Sequence, residues 1–390
     1  MPSFALRALP ICAAIALLGG CNGGAQDPFL TSNHAVAPLQ KHSAGLGKVL
    51  STKNGGQIFG FDVDRNGNDG VLATAADVET FDQTTGKITA AFPATPPPGT
   101  SYAAHGIFAG DVALITRFVQ PKGKLFAQRH YALLNPVTAG KFTGTWTPPV
   151  RDVDVLQSGV NQSTGKAALF AIELKHQDRP DIIVTNLQPR AKSKVIHLDP
   201  NLFGLGNSPQ FGQDSATNQA VIALSPDGGR VGGAPPINVL VNLRTGKTNQ
   251  FIGLNGGPFG AGYVNGLAVD STTGMAATTT ELNAQVEFYD LAAQHGVATQ
   301  LPCTGSASQS NSGAGIANDP VNGLFLVTDP FYCDGSQGSA IVVYDEKGNV
   351  VETIAGFKFA IAEPAPAINP ATRTGWAFGP GFNQLQQFFY

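Results

Sequence analysis

Short apolar runs that end in Asp or Asn and are followed by a polar turn recur along most of the chain. The turn usually contains Gly and Lys, as in 82–87 and 242–247. The six residues that end these runs are 48 to 56 positions apart: Asp82, Asn135, Asn186, Asn242, Asp290 and Asp345. No long apolar stripe with a period of 3.6 residues follows the first twenty residues. The pattern therefore predicts an all-β protein of short strands joined by tight turns.

A second apolar element precedes each of these runs. Its clearest copies are 266–270 and 315–319. Weaker copies surround Gly106, Gly159 and Gln210. A last copy at 367–370 is followed by two further strand patterns, the second at 384–390. Each complete unit is thus expected to hold four strands, A to D from the inside outward, with turn-forming residues in the A–B and C–D hairpins.

A four-stranded unit of this length cannot bury both of its faces alone, so the units are expected to pack around an axis. Residues 51–390 are therefore predicted to form one β-propeller domain. Six complete units and a final A–B–C unit predict seven blades, with an outer strand supplied by the N-terminal part of the chain around 47–50. Six blades are the alternative, and a two-sheet sandwich or a right-handed β-solenoid fits the four-strand blocks less well.

The turns at the ends of these strands resemble those of the NHL, YVTN and gluconolactonase-like group of propellers. The resemblance covers roughly residues 55–390 and is one of pattern. Propellers of this group serve as scaffolds, ligand binders, lactonases and dehydrogenases, so the resemblance implies the fold and leaves the function open.

The N-terminus has the organisation of an export signal. Residues 1–20 contain Arg7, an apolar run at 11–18 and a small-residue pair, and the run is too short to span a bilayer. The sequence 18–21, Leu-Gly-Gly-Cys, resembles the lipobox of bacterial lipoproteins, in which the cysteine receives a diacylglyceryl group. This resemblance implies that Cys21 is lipidated with chains such as palmitate. An ordinary secretory signal is the alternative.

The residues after Cys21 predict where the protein resides. Asn22, rather than Asp, follows the lipid site, which by resemblance to the enterobacterial sorting rule favours the outer membrane. Residues 21–50 are predicted to be the lipidated cysteine, a tether and the ring-closing strand. The expected location is the bacterial cell envelope, with the membrane reached through the lipid.

Cysteine content and charge narrow the expected chemistry. Cys12 leaves with the signal, so Cys303 and Cys333 remain in an oxidising compartment and are predicted to form a disulfide, with free thiols as the alternative. The chain has 24 basic and 27 acidic residues, a net charge of −3 and no basic run. No nucleic-acid partner is expected, because phosphate binding requires clustered Lys and Arg.

One polar segment resembles the start of a calcium-binding loop. Asp62, Asp64 and Asn66 occupy positions 1, 3 and 5, glycine occupies position 6 and Asn68 position 7. Position 12 is Ala73 rather than the usual Glu. The segment predicts a structural Ca²⁺ site, and the alternative is the ordinary polar turn of a blade.

Ligands of propellers usually lie at the mouth of the central channel, where the inner strands begin. The polar candidates there are His105, Asp154, Asn207, Asn265 and Glu363. The segment 265–268 resembles the asparagine segment of gluconolactonase-like enzymes, which implies a divalent metal that polarises a lactone carbonyl, with Glu363 as a second ligand and His105 nearby.

Two functions therefore follow from the sequence. The preferred one is a lipid-tethered scaffold that binds a protein or glycan of the envelope and has no catalytic residues. The alternative is a metal-dependent, lactonase-like hydrolase with its site at the channel mouth.

Overall fold

The structure is a computed structural model of the 390-residue chain. It describes residues 43–390 apart from 94–97, 109–110, 123–127, 151, 162–165, 175–178, 189–190, 203–208, 226–236, 253–263, 281–282, 301–314, 331, 333–337 and 360–364. The predicted signal, Cys21, Cys303, Cys333, Asn207 and Glu363 lie outside the described residues.

The described residues are almost entirely β-strands and turns. The first fourteen strands are β1 (Gly45–Ser51), β2 (Ile58–Val63), β3 (Asp69–Thr74), β4 (Val78–Asp82), β5 (Lys87–Phe92), β6 (Thr100–Phe108), β7 (Val112–Val119), β8 (Gln128–Leu134), β9 (Gly144–Trp146), β10 (Val153–Asn161), β11 (Lys166–Glu173), β12 (Arg179–Thr185), β13 (Lys194–His197) and β14 (Gln210–Asp214). The others are β15 (Gln219–Leu224), β16 (Ile237–Asn242), β17 (Thr248–Ile252), β18 (Val264–Asp270), β19 (Met275–Thr280), β20 (Asn283–Asp290), β21 (His295–Gln300), β22 (Ile316–Asp319), β23 (Leu324–Asp329), β24 (Ser339–Asp345), β25 (Val350–Phe357), β26 (Ala367–Asn369), β27 (Thr374–Phe378) and β28 (Gln384–Phe389).

Helical structure in the described part of the chain is limited to short 3₁₀ turns such as Val137–Ala139 and Pro200–Leu202. No helix in the described residues is both long and apolar enough to cross a membrane.

The strands form seven four-stranded antiparallel sheets, which confirms the predicted seven-bladed propeller. Blades 1 to 6 each take four consecutive strands, from β2–β5 in blade 1 to β22–β25 in blade 6. Blade 7 consists of β26, β27 and β28 with β1 at its outer edge. Strands A to D in each blade are therefore the inner, second, third and outer strands.

Strand β1 closes the ring at the position where the sequence predicted an outer strand. It pairs antiparallel with β28, with Leu50 opposite Leu385 and Ser51 opposite Gln384. Leu50 is 2 % exposed and belongs to one apolar cluster with Trp376 and Leu385. The first and last described strands are thus held in one sheet by hydrogen bonds and by core packing.

The apolar core lies between neighbouring blades rather than within one. The central strands are buried on both faces, as in β15 and β23, because each sheet packs against a sheet on either side. Ile182 of blade 3 and Ile222 of blade 4, for example, share one cluster. Outer strands such as β17 are mostly exposed, which explains why their apolar pattern is weaker in the sequence.

Candidate binding channel

The seven inner strands surround a channel that contains two connected cavities. The upper chamber, of about 740 Å³, lies towards the upper face, where the inner strands begin and the B–C connections lie. The lower chamber, of about 300 Å³, lies towards the lower face, where the A–B and C–D turns lie. Phe61, His105 and Ser158 border both chambers.

The upper chamber has no charged side chain among its described lining residues. Its polar side chains are His105, Gln157, Ser158, Gln210 and Asn265, and its larger apolar ones are Phe61, Leu156, Phe211, Val264, Leu267 and Ile316. The remaining positions are Gly60, Ala104, Gly266, Gly315 and Ala365. The small residues leave the axis open, and the larger ones provide amide groups and aromatic surface.

Gly60 allows the inner strands of blades 1 and 2 to approach each other. Its φ is +140°, and a β-carbon at this position would lie 2.3 Å from the carbonyl oxygen of Ala104. Any larger residue would therefore separate the two strands. The glycine fixes the width of the channel on this side.

Side chains from neighbouring blades form hydrogen bonds with some backbone N–H and C=O groups of the inner strands. These strands have a hydrogen-bonded neighbour on one side only. Gln157 of blade 3 accepts from the N–H of Phe211 (Oε1 to N, 2.6 Å) and donates to the side-chain oxygen of Gln210 (3.1 Å), both in blade 4. Ser158 donates to the carbonyl oxygen of His105 in blade 2 (2.9 Å). These bonds hold the chamber wall in place.

His105 and Asn265 of the predicted site both line the upper chamber. The Nε2 atom of His105 lies 2.5 Å from the Thr116 hydroxyl, and burial lowers the pKa of the imidazole to about 4. The ring is therefore neutral at pH 7. Asp154 is absent from the described lining and forms an ion pair with Arg129 at 2.7 Å.

The four residues of the predicted calcium loop make hydrogen bonds to protein groups. Asp62 accepts from the N–H groups of Val63 and Ile107, and Asp64 accepts from that of Asn66. Asn68 donates to Asp82 and accepts from Thr84. The bond from Asn66 to Asp64 is an Asx turn, which recurs where Asp270 accepts from Thr272, Asp319 from Val321, and Asn369 from Ala371.

The repeated turn explains the spacing of Asp64 and Asn66 without a metal. No group of three or more His, Cys, Asp or Glu residues within the described ranges is arranged to hold a metal ion. Calcium binding at this loop stays a prediction.

The lower chamber contains a side chain that the sequence reasoning missed. Gln213 is 7 % exposed, lines this chamber, and its amide has no hydrogen-bond partner among the described residues. Asp62 and Arg65 also line it, and they are the charged side chains in the described lining of the two chambers. A glutamine in an alternating strand carries no sequence signal that distinguishes it from a surface residue.

An aromatic group beside the upper chamber was also missed. Phe61 packs edge-on against Phe378, with ring centroids 5.3 Å apart. The neighbouring Phe59 and Phe382 are 47 % and 54 % exposed, and the backbone of Ile58 donates to the carbonyl oxygen of Phe382 (2.9 Å). Ile58 and Phe382 are bonded because blades 1 and 7 are adjacent in the closed ring.

Fold and channel together define a seven-bladed β-propeller with an open upper chamber whose described lining contains no charged side chain. Two solved structures share this shape: the Cps50 (Swd1) β-propeller domain of Myceliophteria thermophila and a chain of the mitotic checkpoint complex. The first has 10 % identity and a TM-score of 0.59 and covers 89 % of this chain and 100 % of its own. The second has 13 % identity and a TM-score of 0.61 and covers 93 % and 97 %.

These similarities establish the fold. No protein-family model and no curated protein sequence matches the chain.

Proposed function

We propose that this protein is a lipid-anchored binding module of the bacterial cell envelope, which holds its ligand in the upper chamber. The observation that carries the proposal is the chamber itself. Its volume is about 740 Å³, within the range of about 300–1,000 Å³ typical of small-ligand sites. Its wall is fixed by hydrogen bonds between blades, so little ordering of the protein would accompany binding.

The path of β1 supports an anchor that leaves the chamber accessible. Gly45, at the start of β1, lies opposite Phe389 on the side of the A–B turns. On this side the backbone N–H of Tyr390 donates to the carbonyl oxygen of Arg373, in the A–B turn of blade 7. Ser51, at its end, lies opposite Gln384 beside a B–C connection. A tether from Cys21 would therefore join the lower face, and the chamber would open on the other face.

The structural neighbours are consistent with a binding role. One of them is a chain of the mitotic checkpoint complex, so a propeller of this shape occurs as part of an assembly. The described lining of the upper chamber also lacks the carboxylates that most hydrolytic mechanisms use.

The chamber is tested by narrowing it. Ala365 is exposed and lines both chambers, so Ala365→Trp would occupy the channel without entering the core. Ala355→Trp, on the exposed side of β25, is the matched control. We expect the wild type and Ala355→Trp to retain a component of a solubilised envelope extract, identified by mass spectrometry, that Ala365→Trp does not. Equal retention by all three proteins would reject the chamber as the binding site.

The anchor is tested separately with Cys21→Ser. We expect the wild type to incorporate radiolabelled palmitate and to sediment with membranes, and the variant to do neither, because the thiol is the acylation site. An unlabelled wild-type protein would show that the segment 1–20 is an ordinary secretory signal.

The alternative function, a metal-dependent lactonase-like hydrolase, rests on the presence of His105 and Asn265 in one chamber. It requires oxygen ligands beyond Asn265, for which Glu363 is the sequence candidate. Elemental analysis of the purified protein before and after chelation, with a lactone-hydrolysis assay of Glu363→Gln, tests this function. A metal and an activity that both disappear in Glu363→Gln would replace the binding proposal.

A further inference from the structure

We propose that Asn66, in the A–B turn of blade 1, is a site of spontaneous deamidation, and that this modification weakens the junction between blades 7 and 1. The inference does not depend on what the upper chamber binds. An asparagine followed by glycine is chemically labile, because glycine has no side chain to keep its backbone nitrogen away from the preceding amide. Asn66 and Gly67 form such a pair.

The reaction needs only water. The backbone nitrogen of Gly67 attacks the side-chain carbonyl carbon of Asn66, and the bond from that carbon to Nδ2 breaks. The amide proton of Gly67 reaches the departing group through solvent, so ammonia leaves and a cyclic succinimide remains. Water then opens the succinimide at either of its carbonyl carbons. The products are aspartate and isoaspartate, and in isoaspartate the main chain runs through the side-chain methylene.

Hydrogen bonds and strand pairing restrain the other pairs of this kind. The structure describes both residues of the Asn–Gly pairs at 54–55, 66–67, 265–266 and 322–323. Asn54 donates from Nδ2 to Asp77 (2.5 Å), and Asn322 donates from Nδ2 to Asp319 (2.7 Å). The pair at 265–266 lies in β18, where Gly266 is paired with β19. In each case the reacting groups would have to leave these positions first.

The reacting groups of Asn66 and Gly67 have no such restraint. Within the described ranges, neither the side-chain amide of Asn66 nor the backbone N–H of Gly67 forms a hydrogen bond. Asn66 is held through its backbone N–H, which donates to Oδ1 of Asp64 (3.0 Å), so its side chain can still rotate. Both residues are half-buried in a bend between β2 and β3, where water can reach them. The reaction is therefore compatible with the folded protein.

The carbonyl groups on either side of Asn66 contact blade 7. Asn369 of β26 donates from Nδ2 to the carbonyl oxygen of Gly67 (2.8 Å), and this nitrogen lies 3.2 Å from the carbonyl oxygen of Asp64. Isoaspartate at position 66 lengthens the main chain between these two oxygens by a methylene, so they can no longer both face Asn369. Asn369 is 1 % exposed, and a buried amide that loses its acceptors costs free energy. The modification therefore weakens the junction at which the ring is closed.

The first test compares the four pairs within one sample of the full-length protein. The folded protein is incubated at pH 8 with a chelator, so that no calcium ion can hold Asn66. Peptide mapping by mass spectrometry, with fragmentation that separates aspartate from isoaspartate, follows each pair. Protein unfolded in urea is the reference, because all four pairs react freely there. We expect Asn66 in the folded protein to react at least fivefold faster than Asn54 or Asn322. Conversion of Asn66 no faster than that of Asn322 would overturn the proposal.

The second test measures the junction. Asn66→Gln should block the modification, because the larger ring that glutamine must form closes slowly, and Asn322→Gln in the A–B turn of blade 6 is the matched control. After incubation, we expect wild type and Asn322→Gln to unfold at a lower temperature than their own fresh samples, in proportion to the isoaspartate at position 66. Asn66→Gln should not change. An isoaspartate-containing protein that unfolds at the temperature of the fresh sample would refute the weakened junction.

A third variant separates the lengthened main chain from the added charge. Asn66→Asp introduces the carboxylate without the extra methylene, so we expect it to unfold close to wild type. If Asn66→Asp unfolds at the lower temperature of the incubated protein, the charge and not the longer main chain weakens the junction, and the stated mechanism is wrong.

Discussion

The carboxylate of Asp62 in blade 1 accepts a hydrogen bond from the backbone N–H of Ile107 in blade 2, with Oδ2 2.7 Å from the nitrogen. Its other oxygen accepts from the N–H of Val63 at 2.9 Å. Ile107 belongs to the inner strand β6, which has no hydrogen-bonded strand on its channel side. Asp62 therefore supplies the acceptor that a further strand would otherwise provide. The residue that the sequence placed first in a calcium loop thus links two blades.

Removing this acceptor is expected to destabilise the propeller. Asp62→Ala leaves the N–H of Ile107 without its partner, which should cost about 1–3 kcal/mol in the free energy of unfolding. Asp62→Asn is the matched control: it keeps an acceptor oxygen and should lose less. Denaturant unfolding with and without chelator measures both effects. A loss in Asp62→Ala that appears only when calcium is present would instead favour the metal loop.

The ring-closing strand provides a second test, with a control in the same strand. Leu50→Ala should cost about 2–5 kcal/mol, because Leu50 is 2 % exposed and packs with Trp376 and Leu385. Val49→Ala, at a residue 48 % exposed, should change the free energy of unfolding by no more than about 0.5 kcal/mol. Thermal or denaturant unfolding provides the measurement. Equal effects of the two substitutions would mean that β1 is not packed on blade 7.

Glu79 is expected to make the protein less stable as the pH rises. Its side chain is fully buried, accepts from the N–H of Lys53 at 2.8 Å, and has one oxygen without a partner among the described residues. Burial, followed by the nearby charge of Asp77, raises the pKa of this carboxyl from 4.5 to about 7. The fold therefore favours the protonated form, and stability present below pH 4.5 is lost as the pH rises towards 7 and above.

The free energy of unfolding that is lost when Glu79 ionises is about 3 kcal/mol, at 1.36 kcal/mol per unit of pKa. Glu79→Gln mimics the protonated form and should remove this part of the pH dependence, making the variant more stable than wild type at pH 8. Glu352→Gln on the outer strand β25 is the control. Unfolding curves between pH 4 and 8 that are parallel for wild type and Glu79→Gln would contradict the prediction.

His105 is expected to make the protein less stable as the pH falls. Burial lowers the pKa of its imidazole from 6.5 to about 4, so the fold favours the neutral ring. Its contribution is fully present above pH 6.5 and is lost as the pH falls through 4, by up to about 3 kcal/mol. His105→Gln, which stays neutral, should lack this loss, whereas His295→Gln at an exposed position should retain it. Proton NMR of the His105 ring gives the titration directly, and a midpoint near 6.5 would contradict the prediction.

Much of the fold could be predicted because its signals are local. Apolar runs ending at Asp82 or Asn242, followed by Gly-containing turns, indicate hairpins through residues that are close in sequence. The spacing of these runs led to four-stranded units, and counting the units led to seven blades. Even the outer strand around 47–50 followed from an A–B–C unit that lacked a fourth strand.

The site could be predicted only in part, for a physical reason. His105 and Asn265 were placed at the channel because strand order alone positions the inner strands around the axis. Three features were not predicted: the bond from Ile107 to Asp62, the backbone bond from Ile58 to Phe382 across the junction of blades 1 and 7, and the amide of Gln213, which has no partner among the described residues. Each depends on how closely one blade approaches the next.

The sequence by itself determined the repeating four-stranded unit and the number of blades, because alternation of apolar residues and turn chemistry act between neighbouring positions. Tertiary structure alone decided that, among the described lining residues, the charged side chains Asp62 and Arg65 lie at the lower chamber and none lies at the upper one. Contacts between residues about 50 positions apart decide which side chains face the axis and which form hydrogen bonds between blades. Such contacts form only when neighbouring blades pack against each other in the ring, which β1 closes through its pairing with β28.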